Sequence, residues 1–136
     1  MENRIFYKGN EGMIVKNRIP TVTVAISAFN EGKNIDTFLK SVLSQKEKKF
    51  KLEAIWVYND GSRDNTVDII KSFITKSTKI KLFDDKKRLG KSARLNQIYQ
   101  SLKSDFLVQS DADTIWSHPL VLYTGPRKLY STLRLS

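Results

Sequence analysis

The chain has no cysteine and a single histidine, His118. A disulfide framework, a thiolate zinc site and a cysteine nucleophile are thereby excluded together, and no histidine cluster can form. Any bound metal must be held by oxygen ligands, which favours Mg2+ or Mn2+ over zinc. No apolar run approaches the ~18–20 residues of a membrane span. The opening MENRIFYKGNEGMIVKNRIP lacks the continuous apolar stretch of a secretory signal. The expectation is a cytoplasmic protein, peripheral at a membrane where it meets one. Acidic residues are scarce: 14 Asp and Glu face 24 Lys and Arg, a formal charge of +10. Such an excess attracts polyanions, whether nucleic acid, an anionic membrane face or phosphorylated small molecules, unless it is only a solvated basic surface.

What is present is ordinary for one folded domain: 136 residues, 40% hydrophobic and 28% charged. Residues 1–20 mix charges, glycines and isolated apolar residues and read as a leader with at most one short element. From Thr21 the pattern becomes regular. Val22, Val24 and Ile26 alternate with Thr23, Ala25 and Ser27, the period of a strand. Ile35, Phe38, Leu39, Val42 and Leu43 then make the apolar face of a helix, with Asn34 or Asn30 as its cap. Leu52 to Tyr58 is a second strand, stopped by Asn59-Asp60-Gly61-Ser62. Val67, Ile70, Phe73 and Ile74 mark a second helix entered through Asp64 or Asn65. A short strand follows over Lys79 to Phe83, with Ile80 and Leu82 on one face. A third helix over Ser92 to Leu102 carries Leu95, Ile98, Tyr99 and Leu102, and a fourth strand, Phe106 to Val108, runs into Asp111-Ala112-Asp113.

This β-α-β-α-β-α-β order predicts an α/β fold: an open, mostly parallel sheet with helices on both faces. Ligands of such sheets bind outside the carboxyl ends of the strands. The polar clusters fall there: Asn30-Glu31 after the first strand, Asn59-Asp60 after the second, Asp111 and Asp113 after the fourth. Two carboxylates one residue apart, just past a strand, suit a hard divalent cation that completes its shell with water and phosphate oxygens. Read separately, each has a plainer explanation. Asp-x-Asp is common in turns, Asp60 precedes a turn glycine, Phe29 is a core-sized side chain, and Lys91 and Asn96 suit a solvated helix.

Four segments, over about residues 21–116, carry a resemblance to one family. TVTVAISAFNEGKNIDTFLKSVLSQ is similar to the opening strand, Ala-Tyr-Asn-Glu and first helix of family 2 glycosyltransferases. VYNDGSRDNT resembles their Val-Asp-Asp-Gly-Ser-x-Asp-x-Thr, LGKSARLNQIYQ their Gly-Lys-x-x-Ala-Leu-Asn-x-Gly, and FLVQSDADTIW the strand leading into their Asp-x-Asp. The resemblance implies a GT-A, Rossmann-like domain over residues 21–116, the N-terminal, nucleotide-sugar-binding half of such an enzyme. It implies that Ala28 and Phe29 line the nucleobase pocket, that Glu31 faces the nucleoside and that Asp60 hydrogen-bonds a pyrimidine. Lys91 and Asn96 would lie toward the diphosphate, Asp111 at the ribose or metal, and Asp113 would be the metal ligand proper, for Mg2+ or Mn2+. The implied reaction is inverting transfer from a UDP- or GDP-sugar to an acceptor of lipid-linked or polysaccharide type.

The departures are equally specific. Asn59 stands where the family has its first Asp, and Arg94 where a small residue is common. Residues 117–136 form a basic tail of different character. Indeed residues 114–136 hold no Asp or Glu. The general base that would activate the acceptor is therefore not recognisable, and the expected fold is a truncated one. Two further expectations follow: the fourth strand's outer edge and some apolar surface are exposed, and the chain self-associates or is poorly soluble.

Other readings were weighed. Gly90-Lys91-Ser92 looks like the end of a phosphate-binding P-loop, but Asp85 occupies the position of its first glycine and the segment does not follow the first strand. Ala28-Phe29-Asn30-Glu31-Gly32 lacks the glycines of a dinucleotide fingerprint, and it lacks the glycine-rich basic loop of a nucleotidyltransferase. A nucleic-acid-binding module rests on Lys46 to Lys51 and Lys86-Lys87-Arg88 without interleaved aromatics. A non-catalytic, donor-binding fragment remains the other alternative.

Overall fold

The structure, a computed structural model, describes residues 4–7, 19–47, 50–85, 93, 96–97 and 100–113. Its elements run β1 (Arg4–Tyr7), β2 (Thr21–Ala28), α1 (Ile35–Leu43), β3 (Lys51–Asp60), α2 (Thr66–Ile74), β4 (Ile80–Asp85) and β5 (Phe106–Gln109). Among residues 93–101, those described are helical. The expected Leu95, Ile98 and Tyr99 stripe lies outside the described residues, as does the tail from residue 114. Among the described residues no helix is long and apolar enough to cross a membrane.

One five-stranded sheet has the order β1-β5-β2-β3-β4. β5, β2, β3 and β4 are mutually parallel, and β1 joins β5 antiparallel. The chain steps one way from β2 through α1 to β3 and α2 to β4, then returns to lay β5 on the other side of β2. That reversal places a topological switch point between β2 and β5, where a crevice opens at the carboxyl ends.

β2 is flanked by strands and covered on both faces, so Val22 to Ile26 are all buried although their pattern alternates like that of a half-exposed strand. Val22, Val24, Ile26 and Ala28 join Ile55, Val57, Phe106 and Val108 under Ile35, Phe38, Leu39 and Val42 of α1 and Ile70 of α2. The opposite face holds Ala25, Tyr58, Leu102 and Leu107, with Trp56 and Phe83 packed against them. There Tyr58 and Phe83 stack at 4.3 Å between ring centres, and Trp56 meets Phe83 edge-on at 5.7 Å. Helices thus lie on both faces: α1 and α2 on one, and on the other the helical residues up to Ser101, just before the buried Leu102.

A bulge keeps the second strand in phase. Val22 pairs with Leu52 but Thr23 with Ala54, so Glu53 is the extra residue. Without it, Leu52 and Ile55 could not both point to the α1 face, because strand side chains alternate with a period of two. Glu53 then accepts a 2.7 Å hydrogen bond from the Ser104 hydroxyl, which also bonds the Thr23 hydroxyl. Asp105 accepts from both the N–H and the hydroxyl of Thr21, at 2.9 and 3.1 Å. These bonds pin the entry of β5 to the start of β2.

Three expectations need correction. Asn59 and Asp60 do not stop the second strand; they are its last two residues, and the chain turns at Gly61, whose φ of 79° suits glycine. Ile74 was expected in the buried stripe of α2 but is 37% exposed, because the helix ends there and leaves only Thr66 and Ile70 fully covered. The fourth strand, β5, has no open edge. The leader supplies β1, and Arg4 to Tyr7 pair with Gln109 to Phe106 along it. The reason given for self-association therefore does not hold at that strand.

Candidate functional site

Three loops follow the carboxyl ends of β2, β3 and β5 around the switch point, and those after β2 and β3 are bonded to each other. Asn30, just past β2, takes a φ of 51°, a left-handed conformation that asparagine accepts more readily than most residues. Its N–H donates to the Ser62 hydroxyl at 2.9 Å, and its side-chain oxygen accepts the Arg63 N–H at 2.8 Å. Glu31 N–H donates to the Thr66 hydroxyl at 2.9 Å, and Gly32 N–H to Asp64 Oδ2 at 3.0 Å. Every polar end of the loop after β3 thus grips the loop after β2.

The helix entries differ from expectation in detail. Asn34 and Asn65 are the N-cap residues of α1 and α2, but neither caps with its side chain. The Asn34 amide instead donates to Glu31 Oε2 at 3.0 Å, and Glu31 O receives the N–H groups of Asn34 and Ile35. At α2 it is Asp64 that accepts the Thr66 N–H, at 3.0 Å, along with the Thr66 hydroxyl. That hydroxyl holds the Asp64 carboxyl below its ordinary value of 3.8; burial pulls the other way, and the N–H groups of Thr66, Gly32 and Asp64 itself add to the lowering.

The sequence-expected residues distribute as follows. Ala28 is fully buried at the end of β2, and Phe29 beside it is 36% exposed, one of the few large apolar side chains so open among the described residues. Glu31 is half-buried on the same loop. Asp60 is 4% exposed at the end of β3. Asp111 and Asp113 follow β5, half-buried and exposed respectively, and the intervening Ala112 is anchored in the core. Ser110 N–H reaches Ala25 O at 3.1 Å, so the exit of β5 is held against β2. With β2 between them, β3 and β5 run about 10 Å apart, two strand spacings, and β5 ends level with Trp56, four residues before β3 ends at Asp60. Asn96 is an exposed helical residue that no described contact ties to these ends. Lys91 lies outside the described residues.

Sequence reasoning assigned no site role to Ser62, Asp64, Thr66 or Asp84, and gave Asp64 only a place at the entry of the second helix. The first three lie inside the VYNDGSRDNT segment, and the Asp-x-Thr spacing was the available signal for a side-chain-to-backbone turn. Asp84 carried no signal, because its importance depends on β4 lying beside β3. It accepts from the Asn59 amide at 2.6 Å. On the other sheet face, a pocket of about 380 Å3 is lined by Tyr58, Phe83, Asp84, Gln97, Gln100 and Ser101.

For a metal, the donor chemistry is restrictive. Among the described residues no group of three or more His, Asp or Glu side chains comes together. A protein-only cage is not what these residues offer. Asp111 and Asp113 fit instead a hard cation that takes one or two carboxylates and draws its remaining ligands from phosphate and water.

The model of the family described as "Glycosyl transferase family 2" matches residues 23–123. The chain is 31% identical over 97 residues to a dolichyl-phosphate beta-glucosyltransferase of Trichomonas vaginalis, a match covering 67% of this chain and 28% of that protein. It is 33% identical over 94 residues to the poly-beta-1,6-N-acetyl-D-glucosamine synthase of Staphylococcus aureus, covering 69% of this chain and 22% of that one. Among solved structures, the Pyrobaculum calidifontis mannosyltransferase PcManGT, in complex with GDP-Man and Mn2+, superposes with a TM-score of 0.69 at 24% identity, over 78% of this chain and 31% of that one. S. aureus TarS 1-349 with UDP-GlcNAc superposes at 0.65 and 19% identity, over 82% of this chain and 31% of its own. These two likenesses establish the GT-A fold, and in each comparison the chain spans a third or less of its relative's length. With residues 23–123, most of its length, matched by the family model, the chain belongs to the family 2 glycosyltransferases.

Proposed function

We propose that the carboxyl edge of β2, β3 and β5 binds a nucleoside-diphosphate sugar together with Mg2+ or Mn2+, as the donor site of a glycosyltransferase. The observation that carries this reading is that an exposed aromatic ring, Phe29, and three carboxylates, Asp60, Asp111 and Asp113, stand at or past the carboxyl ends of three adjacent parallel strands. A base needs a flat apolar face and a hydrogen-bonding edge. Phe29 offers the first and Asp60 the second, as an acceptor for a ring N–H. Ala28 backs the pocket without crowding it, and Glu31 faces the nucleoside. Asp111 and Asp113 would hold the cation, with Asp111 also within the ribose region. Lys91 and Asn96 complete the diphosphate side, as the family resemblance implies. Relatives solved with GDP-Man and Mn2+ and with UDP-GlcNAc support the ligand class.

A bound divalent cation supplies charge neutralisation for the departing diphosphate. The chain's own residues bind the base, orient the diphosphate and present the anomeric carbon for an inverting displacement by an acceptor hydroxyl, which breaks the sugar–phosphate bond. The acceptor is of lipid-linked or polysaccharide type, in keeping with what two relatives are named for. No residue is assigned the role of general base. The protein is placed in the cytoplasm, at the membrane face where such acceptors are met, and its charge of +10 suits that surface.

The test is calorimetric titration of UDP and GDP, with and without Mn2+, on the wild type and on Asp113→Ala. Metal-dependent binding that the substitution removes is the expected result. Absence of binding by either nucleotide overturns the reading.

A further inference from the structure

Asn59 is the position at which this chain departs from its family, and the structure gives the departure a physical reason. In the parallel register of β3 and β4, Asn59 stands opposite Asp84. Its side-chain nitrogen donates to Asp84 Oδ1 at 2.6 Å, and its side-chain oxygen accepts the Ser62 N–H at 3.0 Å. Asn59 is 3% exposed, so neither bond can be exchanged for water without cost. The bonds then continue across the site. The Ser62 hydroxyl takes the Asn30 N–H, and Asn30 in turn takes the Arg63 N–H. One chain of hydrogen bonds therefore joins the ends of β4, β3 and β2.

Opposite a carboxylate at 84, an amide suits the middle of this chain. It must donate at one end and accept at the other, and an ionised aspartate has no proton to donate. An aspartate at 59 would also face the Asp84 carboxylate across 2.6 Å in a buried position, where like charges are costly. The carboxylate missing at 59 is thus present across the strand pair, at 84.

We propose that Asn59 is a positioning residue of the donor site. Its amide bridge sets the spacing of the β3 and β4 ends and the turn at Gly61, and so fixes where the adjoining Asp60 carboxylate stands. Residues 59 and 84 form an amide–carboxylate pair whose two members are interchangeable between the strands. This rests on the donor-site reading above.

The test uses the full chain with Asn59→Asp, Asp84→Asn and the double exchange. Each is titrated with UDP and GDP in the presence of Mn2+, and each melting temperature is recorded. Asn59→Asp is expected to lose at least ~10-fold in nucleotide affinity, and the double exchange to return within ~3-fold of wild type, the non-additivity of a directly coupled pair. Asp84→Asn, in which two amides can still pair, falls between them. If Asn59→Asp does not fold, Asp84→Ala carries the test. Asp84 is exposed, so its loss is expected to leave the chain folded, with a lowered melting temperature, and to weaken nucleotide binding. Unchanged affinity in a folded Asn59→Asp, a double exchange no better than the single, or an Asp84→Ala that binds like wild type each overturn the positioning role. A wild type that binds neither nucleotide overturns the donor-site reading instead.

Discussion

Thr66 shows how much one side chain can hold at this edge. It is fully buried, receives the Glu31 N–H and donates to Asp64. Thr66→Val keeps its shape but strands a backbone donor, and a stability loss of about 1–3 kcal/mol in denaturant melts is expected. The same substitution removes the main cause of the lowered Asp64 pKa. A depressed carboxylate stabilises the fold above its unfolded pKa, and the contribution disappears as pH falls through the folded value. In Thr66→Val the Asp64 carboxyl, followed by NMR titration, should therefore move up toward 3.8. The share of the acid limb of stability that Asp64 contributes should flatten with it. Gly32 is constrained by proximity: a Cβ there would stand 2.8 Å from Asp64 Oδ2 and 2.0 Å from Asn65 Oδ1. Asn65 is exposed and can swing away, but Asp64 is held by Thr66, so Gly32→Ala should cost about 1–3 kcal/mol, measured by thermal melting. Of these residues only the motif letters were legible beforehand. The Asp64–Thr66 turn had a local signal in its Asp-x-Thr spacing, but the bonds to Glu31 and Gly32 did not, because they join positions more than thirty residues apart.

Among the elements, α1 was the most legible. Its apolar residues at i, i+3, i+4 and i+7 are the ones buried, Ile35, Phe38, Leu39 and Val42. Phe38 is wholly covered, and Phe38→Ala should cost about 3–5 kcal/mol in urea melts. β1 was the least legible, since four residues among charges and glycines carry too little periodicity to announce a strand. Its role follows from β5, which it covers along the side away from β2. Deleting residues 1–7 should uncover that row of backbone donors and acceptors, and light scattering should then detect association that the full chain does not show. Equal scattering from both proteins would mean that β1 does not guard the edge.

At the scale of the whole molecule, a ligand that binds only the folded chain adds stability by mass action. With nucleotide and Mn2+ at 100 times the dissociation constant, the gain should be about 2.7 kcal/mol, read as a rise in melting temperature that Asp113→Ala lacks. Apart from β1, the element types and their order were written in the sequence, because strand and helix periods are local and the turn residues between them are too. The placement of polar residues after strands followed from the same pattern, and with it the outline of the site at the carboxyl edge. Strand neighbours were not written there. That β5 returns to the far side of β2, that β1 covers it, and that Asp84 meets Asn59 all depend on contacts between residues distant in the chain. Such pairings are chosen by how the two apolar faces close over the sheet and by which buried polar groups find partners, and those are properties of the assembled sheet alone.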